Sequence, residues 1–362
     1  MNEFYTKLDK VKAFLSAKGL DGIILSRRES FSWLTCGAHD FVAKFSETGV
    51  VDLLVTKDKV YLIASEIERY RITEEEIKIP DFQLVSFDWC RNKNDVVKEL
   101  IQDRKVASDT GNFNTENLCD DFRRLRFSLS EGEIGRLREL CSQTAIAVQE
   151  TCMEISKGDT EFEIAANISG KLMKQGIQLP VCLIAADERI KKYRHPVPTG
   201  NKVKKYALVV VGAEKYGLYV SMSRMVSFGR PDEEILKKQE ACLTVDAALI
   251  KNTIVGAGVS GIFKAAVDTY DKTGFPGEWK FHHQGGAAGY RAREFLANFD
   301  TLETVQENQI YAWNPTISGT KSEDTILATT EGPEILTEIP GWPSRKITVD
   351  GAEVRRPDIL IR

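Results

Sequence analysis

The 362-residue sequence lacks several features that would at once place it in a class of protein. Its longest apolar run, YALVVV from Tyr206, is far shorter than the roughly 20 residues that cross a bilayer. The formal net charge is −4, so nothing favours binding to nucleic acid or to an anionic membrane surface. The opening residues, MNEFYTKLDK, contain no apolar core of the signal-peptide type. We therefore expect a cytoplasmic protein that binds neither nucleic acid nor a membrane.

Motifs built on cysteine, serine or glycine are also scarce. The seven cysteines are dispersed and none forms a CxxC pair, which is typical of reduced thiols serving as small core residues. No serine lies in a GxSxG elbow. The segment GGAAG at 285–289 lacks the lysine and the spacing of a phosphate-binding loop. The sequence therefore indicates neither a disulfide scaffold nor an elbow-type serine hydrolase, and it implies no cofactor.

The chain reads as two globular domains. Apolar residues make up 42% and charged residues 28%, an ordinary globular composition, and the length favours two domains. Up to residue 128, a helix over 5–18 precedes the strand GLDGIILS and then the hairpin VVDLLVTKDKVYLIAS. This mixture predicts an α/β domain over residues 1–128 and a second domain over 129–362.

The second domain contains an internal duplication. Capping-box spacing at Ser130/Glu133 and at Thr160/Glu163 predicts two helix starts. The segments ISKGDTEFEIAANISGKLMKQG and IVGAGVSGIFKAAVDTYDKTG are both glycine-bounded apolar helices, each followed later by a strand–turn–strand unit. We expect a curved mixed sheet with helices on its outer face and a site between the two halves.

This layout resembles the pita-bread superfamily of creatinase, aminopeptidase P, prolidase and methionine aminopeptidase. The resemblance rests on five segments in order along the chain: GLDGIILSRRESFSWLTCG, SEGEIGRLRELCSQTAIAVQETCMEISKGDTEFEIA, VVVGAEKYGLYVSMSR, HHQGGAAGYRAREF and AWNPTISGTKSEDTILATTEGPEIL. It implies an α/β protein with a creatinase/prolidase-type N-terminal domain and a pita-bread catalytic-type domain. It also implies a homodimer.

The metallopeptidases of this superfamily hold two metal ions on two Asp, one His and two Glu. Matched to these positions, the chain carries Val211, Met222, Gly286, Asn314 and Glu323, so only the last ligand remains. Val, Met and Gly supply no carboxylate or imidazole for a divalent cation. We therefore expect no metal at this site, and we expect the missing side chain at Gly286 to leave space for a larger ligand.

The resemblance also suggests site residues. His195 matches the histidine that acts as general acid–base in creatinase, and a neutral-range pKa suits it to that role. We take His195, Glu323 and His282 as the catalytic candidates. The candidates for substrate binding are Arg224, Arg293, Glu294, Asn314, Tyr290 and Trp313.

Each of these assignments has a plainer alternative. The arginines would then form structural ion pairs, His195 would be a loop histidine bonded to backbone carbonyls, and the two aromatic residues would be core. His283 is expected to point to the opposite face of a strand from His282. A metal site relocated onto His195, His282, His283 and Glu323 also stays open. Arg27 and Arg28 would either complete a partner's site, as in creatinase-type dimers, or form a solvated charge pair.

Three functions remain on this basis. The first is a metal-independent hydrolase that cleaves a C–N bond of a small nitrogenous or peptide-like substrate, as creatinase does. In it, His195 would move the proton and Glu323 would position water or a cationic group. The second is a catalytically inactive homologue that binds a small ligand or a short peptide. The third is a metallopeptidase with relocated ligands.

Overall fold

A computed structural model describes residues 3–362, which form two compact units. One unit runs to Glu133 and includes Tyr216–Leu218. The other contains Ile134–Lys215 and Tyr219–Arg362. The predicted domain boundary at residues 128/129 lies just before this division.

The first unit is a mixed α/β domain built on one six-stranded sheet with the order β4-β3-β2-β1-β5-β6. Its elements are α1 Glu3–Lys18, β1 Gly22–Arg27, α2 Arg28–Leu34, β2 Thr48–Thr56, β3 Val60–Ser65, β4 Phe82–Phe87, α3 Lys93–Ile101, β5 Val106–Ser108, β6 Glu116–Asn117 and α4 Cys119–Phe122.

Local sequence explains the main features of this unit. The predicted hairpin is present, with β2 and β3 antiparallel around the polar turn that follows Thr56. In α1, the helical spacing of Leu8, Val11 and Leu15 places all three in the core. Arg27 and Arg28 are not a solvated pair, because they donate hydrogen bonds to Asp109 O and Lys44 O of the same unit at 3.0 and 2.7 Å.

The second unit consists of helices, two four-stranded sheets with the orders β18-β9-β8-β7 and β10-β11-β14-β15, and two two-stranded sheets, β12-β13 and β16-β17. Its elements are α5 Glu131–Glu154 (which begins before the division), α6 Glu161–Met173, β7 Gln178–Ala186, α7 Glu188–Lys192, β8 Tyr206–Lys215, β9 Leu218–Ser227, α8 Glu233–Asn252, α9 Val259–Lys272, β10 Gly285–Ala288, β11 Gln309–Trp313, β12 Thr316–Ile317, β13 Thr320–Lys321, β14 Asp324–Thr329, β15 Gly332–Ile335, β16 Ser344–Val349, β17 Ala352–Pro357 and β18 Leu360–Ile361.

The two sheets meet at a single antiparallel bridge between Ser223 and Glu323. The backbone N–H of Ser223 donates to Glu323 O at 3.1 Å, and the N–H of Ser221 donates to Thr325 Oγ1 at 2.9 Å. Each sheet contains a central antiparallel strand pair and is preceded by a helix, which confirms the predicted duplication. The duplication therefore brings β9 of one half against the start of β14 of the other at Glu323.

Helix starts follow the sequence signals. Ser130 and Glu133 cap each other reciprocally, and Thr160 with Glu163 forms a full capping box. In the core beside the second sheet, apolar side chains of α8 and α9 pack against those of β10, β11 and β14. All seven cysteines are free thiols. Across residues 3–362, none of the helices combines the length and the apolar character needed to cross a bilayer.

Candidate functional site

Three of the chain's four histidines converge in the second unit. His195 lies in the loop after α7, while His282 and His283 follow a short 3-10 turn at Glu278–Phe281. The Nε2 atoms of His195 and His282 are 3.1 Å apart, a hydrogen-bonding distance. One nitrogen from each ring lies within 4.8 Å of a nitrogen of the other two. We call these residues the histidine cluster.

The position of His283 differs from the sequence expectation. Its ring stacks on that of His282, with centroids 4.4 Å apart and planes at 24°, and its centroid is 5.9 Å from that of His195. The expected alternation of faces requires a strand, but β10 begins only at Gly285. The prediction that His283 points away from His282 is therefore wrong.

The surroundings of the histidine cluster favour neutral imidazoles. Burial lowers the pKa of His282 far below its ordinary value, and the charge of Lys321 lowers it further. Burial and then Arg293 lower the pKa of His283 to about 4. Burial and Lys321 also lower the pKa of His195, although Glu323 raises it. At neutral pH the cluster therefore offers unprotonated ring nitrogens.

Hydrogen bonds from a buried glutamine hold the backbone at His282. The Gln284 side chain donates from Nε2 to His282 O at 2.6 Å, and its Oε1 accepts from the Tyr270 hydroxyl at 2.8 Å. Gln284 is fully buried, so these bonds are shielded from water. Sequence reasoning did not identify Gln284, and its position beside His282 was the only signal available.

Glu323 is the carboxylate at the junction of the two sheets. Its Oε2 accepts from Ser223 Oγ at 2.5 Å and lies 3.5 Å from Lys321 Nζ. Its Oε1 accepts from Arg293 Nη2 at 3.3 Å. Arg293 also donates to Ser221 Oγ at 3.3 Å, and burial lowers the pKa of its guanidinium while Glu323 raises it. One acidic group thus shares two cationic partners.

Lys321 is a buried cation that sequence reasoning missed. Its Nζ contacts Glu323 and lies 3.5 Å from Asn314 O. Burial lowers the pKa of Lys321 while Glu323 raises it. The signal was present, because residues i and i+2 of an extended segment share a face, and Lys321 precedes Glu323 by two.

The structure does not bring Arg224 to the histidine cluster. Its Nη2 donates to Asp324 Oδ1 at 2.8 Å and to Thr337 O at 2.9 Å. Its Nη1 donates to Ser223 O at 2.8 Å. These groups of the protein itself engage the guanidinium, which corrects the expectation that Arg224 holds a substrate.

Asn314 and Glu294, two polar residues that were predicted to bind substrate, are both buried. Asn314 donates its backbone N–H to Gln284 O at 3.1 Å, and its Oδ1 has no hydrogen-bond partner among residues 3–362. Glu294 is buried and its backbone N–H donates to Ala287 O at 2.8 Å. An unpartnered buried acceptor marks Asn314 as a candidate ligand contact.

The two aromatic residues predicted to bind substrate, Trp313 and Tyr290, are buried as well. Trp313 is fully buried, donates from Nε1 to Thr253 Oγ1 at 2.9 Å, and stacks on Tyr311 with centroids 5.4 Å apart. Trp313 is therefore a core residue and not the wall of an open pocket. Tyr290 is also buried.

The expectation of free space at Gly286 is wrong. A Cβ atom added there would lie 2.2 Å from Phe295 O, 3.0 Å from Ala297 N and 3.1 Å from Leu296 Cα. The backbone of 295–297 thus occupies the direction in which a side chain would point. No histidine can take this position without displacing that segment.

The residues at the centre of the sheets do not fit the dinuclear centre of the resembling enzymes. Val211 on β8 and Met222 on β9 are buried apolar side chains, and Gly286 has backbone where a side chain would extend. Asn314 and Glu323 alone leave one carboxylate, which Lys321 contacts. Hard divalent cations require several oxygen ligands, so this donor set does not hold the pair of ions.

Comparison with protein families identifies both parts of the chain. Residues 135–330 match the model of metallopeptidase family M24, and residues 7–140 match the creatinase/prolidase N-terminal domain. The chain belongs to family M24. The predicted resemblance to the creatinase/prolidase superfamily is thereby confirmed, as is the predicted fold class.

Individual relatives match this chain over nearly its whole length. The Xaa-Pro dipeptidase of Pyrococcus horikoshii is 24% identical over 358 residues, covering 93% of this chain and 97% of the relative. The structure of a Bacillus anthracis Xaa-Pro dipeptidase superposes with a TM-score of 0.80 at 16% identity, covering 99% and 100% of the two chains. The N-terminal domain of the FACT complex subunit SPT16 from chickpea superposes with a TM-score of 0.74 at 14% identity, covering 94% and 97%.

Proposed function

We propose that this M24 protein is a hydrolase that cleaves a C–N bond of a small peptide-like substrate without the dinuclear metal centre of its family. The observation that supports the proposal is the convergence of His195, His282 and Glu323 with two cations where four metal ligands are replaced. Membership of a peptidase family makes hydrolysis the first reaction to consider.

His195 carries the proton in this proposal. Its lowered pKa leaves the ring neutral at neutral pH, so it can accept a proton from an attacking water and then donate it to the leaving nitrogen. The contact with His282 Nε2 orients the His195 ring. Glu323, fixed by Ser223 and Lys321, would orient the water or a cationic group of the substrate.

The substrate class follows from the relatives and from the charges. Two curated relatives are Xaa-Pro dipeptidases, so short peptides that contain proline are the first candidates. Arg293 and Lys321 outnumber the single carboxylate of Glu323, so the described charges at the site favour a substrate that carries a carboxylate.

The test uses the full-length protein after EDTA treatment. Hydrolysis of Xaa-Pro dipeptides, amides, guanidines and amidines is measured with wild type, His195→Ala and the control His39→Ala, which changes the histidine outside the cluster. We expect turnover by wild type and His39→Ala, and a loss of at least about 100-fold in His195→Ala. Absence of turnover across the panel by wild type would refute the proposal.

A second candidate is a binding protein without catalysis. It is favoured by the fold shared with the N-terminal domain of SPT16, a subunit of the FACT complex, and by the unpartnered Oδ1 of Asn314. On this view a ligand N–H bonds Asn314 and no product forms. Binding of a peptide from the same panel, unaltered by His195→Ala and without turnover, would support it.

The other expectations stay predictions. These are the homodimer, the cytoplasmic location and a contribution of Arg27 or Arg28 to a partner's site. Sedimentation of the full-length chain tests the first.

A further inference from the structure

We propose that His195, His282 and His283 form a site for a single transition-metal ion, such as Zn²⁺, that is distinct from the dinuclear site of family M24. The three rings belong to two separate segments of the second unit, yet one nitrogen of each lies within 4.8 Å of the others. Three histidines are a recognised ligand set for zinc, with a fourth position left for water.

The spacing of the closest pair suits one shared ion. Two nitrogens bound at 2.0–2.1 Å to a tetrahedral ion lie about 3.3 Å apart. The Nε2 atoms of His195 and His282 are 3.1 Å apart without an ion. One nitrogen of His283 lies within 4.8 Å of them, so coordination by all three rings requires the His283 side chain to move closer.

An unsatisfied nitrogen of His282 is the second indication of a ligand. His282 is only 7% exposed, and its Nδ1 has no hydrogen-bond partner among residues 3–362. Whichever ring donates in the contact with His195, one nitrogen of His282 remains unpaired. An ion bound at Nδ1 would take this unpaired lone pair directly, whereas an ion bound at Nε2 would replace the hydrogen bond between the two rings.

The nearby charges predict the strength of binding and provide an internal test. Lys321 and Arg293 repel a dication, and Glu323 offsets only one of them. We therefore expect weaker binding than at zinc sites with carboxylate ligands. Removing one cation with Lys321→Met should tighten binding of Zn²⁺, an outcome that general damage to the fold would not produce.

The experiment measures binding of ZnCl₂ to the EDTA-treated, full-length protein by calorimetry and metal analysis. We expect one equivalent per chain, at least about tenfold weaker binding in His195→Ala, His282→Ala and His283→Ala, and unchanged binding in the matched control His39→Ala. No saturable binding by wild type, or binding by all three cluster variants that is as tight as that of wild type, would overturn the proposal.

A second measurement does not depend on how the variants fold. Co²⁺ added to wild type should give the intense visible absorption of a four-coordinate ion, whereas weak absorption of a hydrated, six-coordinate ion would count against the site. A test by inhibition rests on the proposed function. If the hydrolase is active, Zn²⁺ should inhibit it by occupying the lone pair of His195. Zinc binding by a wild-type protein that hydrolyses no substrate of the panel when metal-free would refute the proposed function and leave the metal site standing.

Discussion

Replacing Gly286 by alanine tests how the centre of the second unit is built. An ideal Cβ at this position lies 2.2 Å from Phe295 O, although real Cβ contacts essentially never fall under 3.0 Å. The carbonyl would have to retreat by roughly 0.8 Å to restore a 3.0 Å contact. Hydrogen bonds on both sides hold it, from Glu294 N to Ala287 O at 2.8 Å and from Ala297 N to Gly285 O at 2.9 Å.

The expected cost of Gly286→Ala is about 3–4 kcal/mol in the free energy of unfolding. Overpacking against well-packed neighbours costs about 1–3 kcal/mol, and the higher figure applies because the contact is with backbone. Weakening a flanking hydrogen bond adds about 1 kcal/mol where the segment moves. The result would be a lower urea midpoint with an unchanged slope.

Gly170→Ala is the matched control. Gly170 lies within α6, and an added Cβ there meets nothing within 4 Å. Because alanine is preferred to glycine in helices, this variant should be more stable by up to about 1 kcal/mol. The reasoning would be refuted if Gly286→Ala were as stable as wild type. That result would mean that the backbone of 295–297 can move away from the added Cβ atom without a loss of stability. Gly286→His should be less stable still, and it should not recover a dinuclear site.

Two further predictions concern buried charges. Arg356 contacts the buried carboxylates of Asp246 and Asp324 at 2.5 and 2.6 Å. The substitution Arg356→Met should therefore lower the free energy of unfolding in urea by about 3–5 kcal/mol. The control Arg355→Met, at an exposed neighbour, should lower it by at most about 1 kcal/mol. Equal losses in the two variants would contradict this. Burial raises the pKa of Asp109 from 3.8 to about 6, because the buried carboxyl is favoured in its neutral form. The contribution of this neutral form to the free energy of unfolding is complete below about pH 4 and is lost as the pH rises through 6. The loss amounts to at most about 3 kcal/mol. Unfolding measured from pH 4 to 7 should show this fall in wild type but not in Asp109→Asn, and parallel curves would exclude the assignment.

Local sequence signals were enough to predict several of the elements. The two capping boxes and the polar turn between β2 and β3 act over three to four residues, and the structure has each where the sequence places it. Such signals depend on bonds between near neighbours, so they can be recognised within a short stretch of sequence. The duplication was visible because both halves repeat the same local pattern.

The contacts of the site were less accessible from sequence. His195 and His282 are 87 residues apart, and their 3.1 Å contact depends on how a loop and a short turn fold together. Lys321 was missed although its spacing from Glu323 signalled a shared face. Arg224 was assigned to substrate because a motif gives the residue type at a position but not its partner, and here the partner is Asp324.

The expectation at Gly286 failed for a different reason. A missing side chain was read as empty space, but protein interiors are close-packed, and neighbouring chain fills what a side chain leaves. The segment at 295–297 lies against Gly286 in this way. A sequence shows which atoms are absent from a position, whereas only the fold shows what has replaced them.

The replacements at the centre form one consistent set. In the metallopeptidases that this chain resembles, two dications balance the carboxylates, of which one remains here as Glu323. Lys321 and Arg293 contact that carboxylate from within the protein and supply positive charge beside it. Val211 and Met222 are buried on β8 and β9, so restoring a single ligand there would bury a carboxylate without completing the set of five ligands. A return to dinuclear chemistry would therefore require several simultaneous substitutions, whereas the ion site proposed at the histidine cluster requires none.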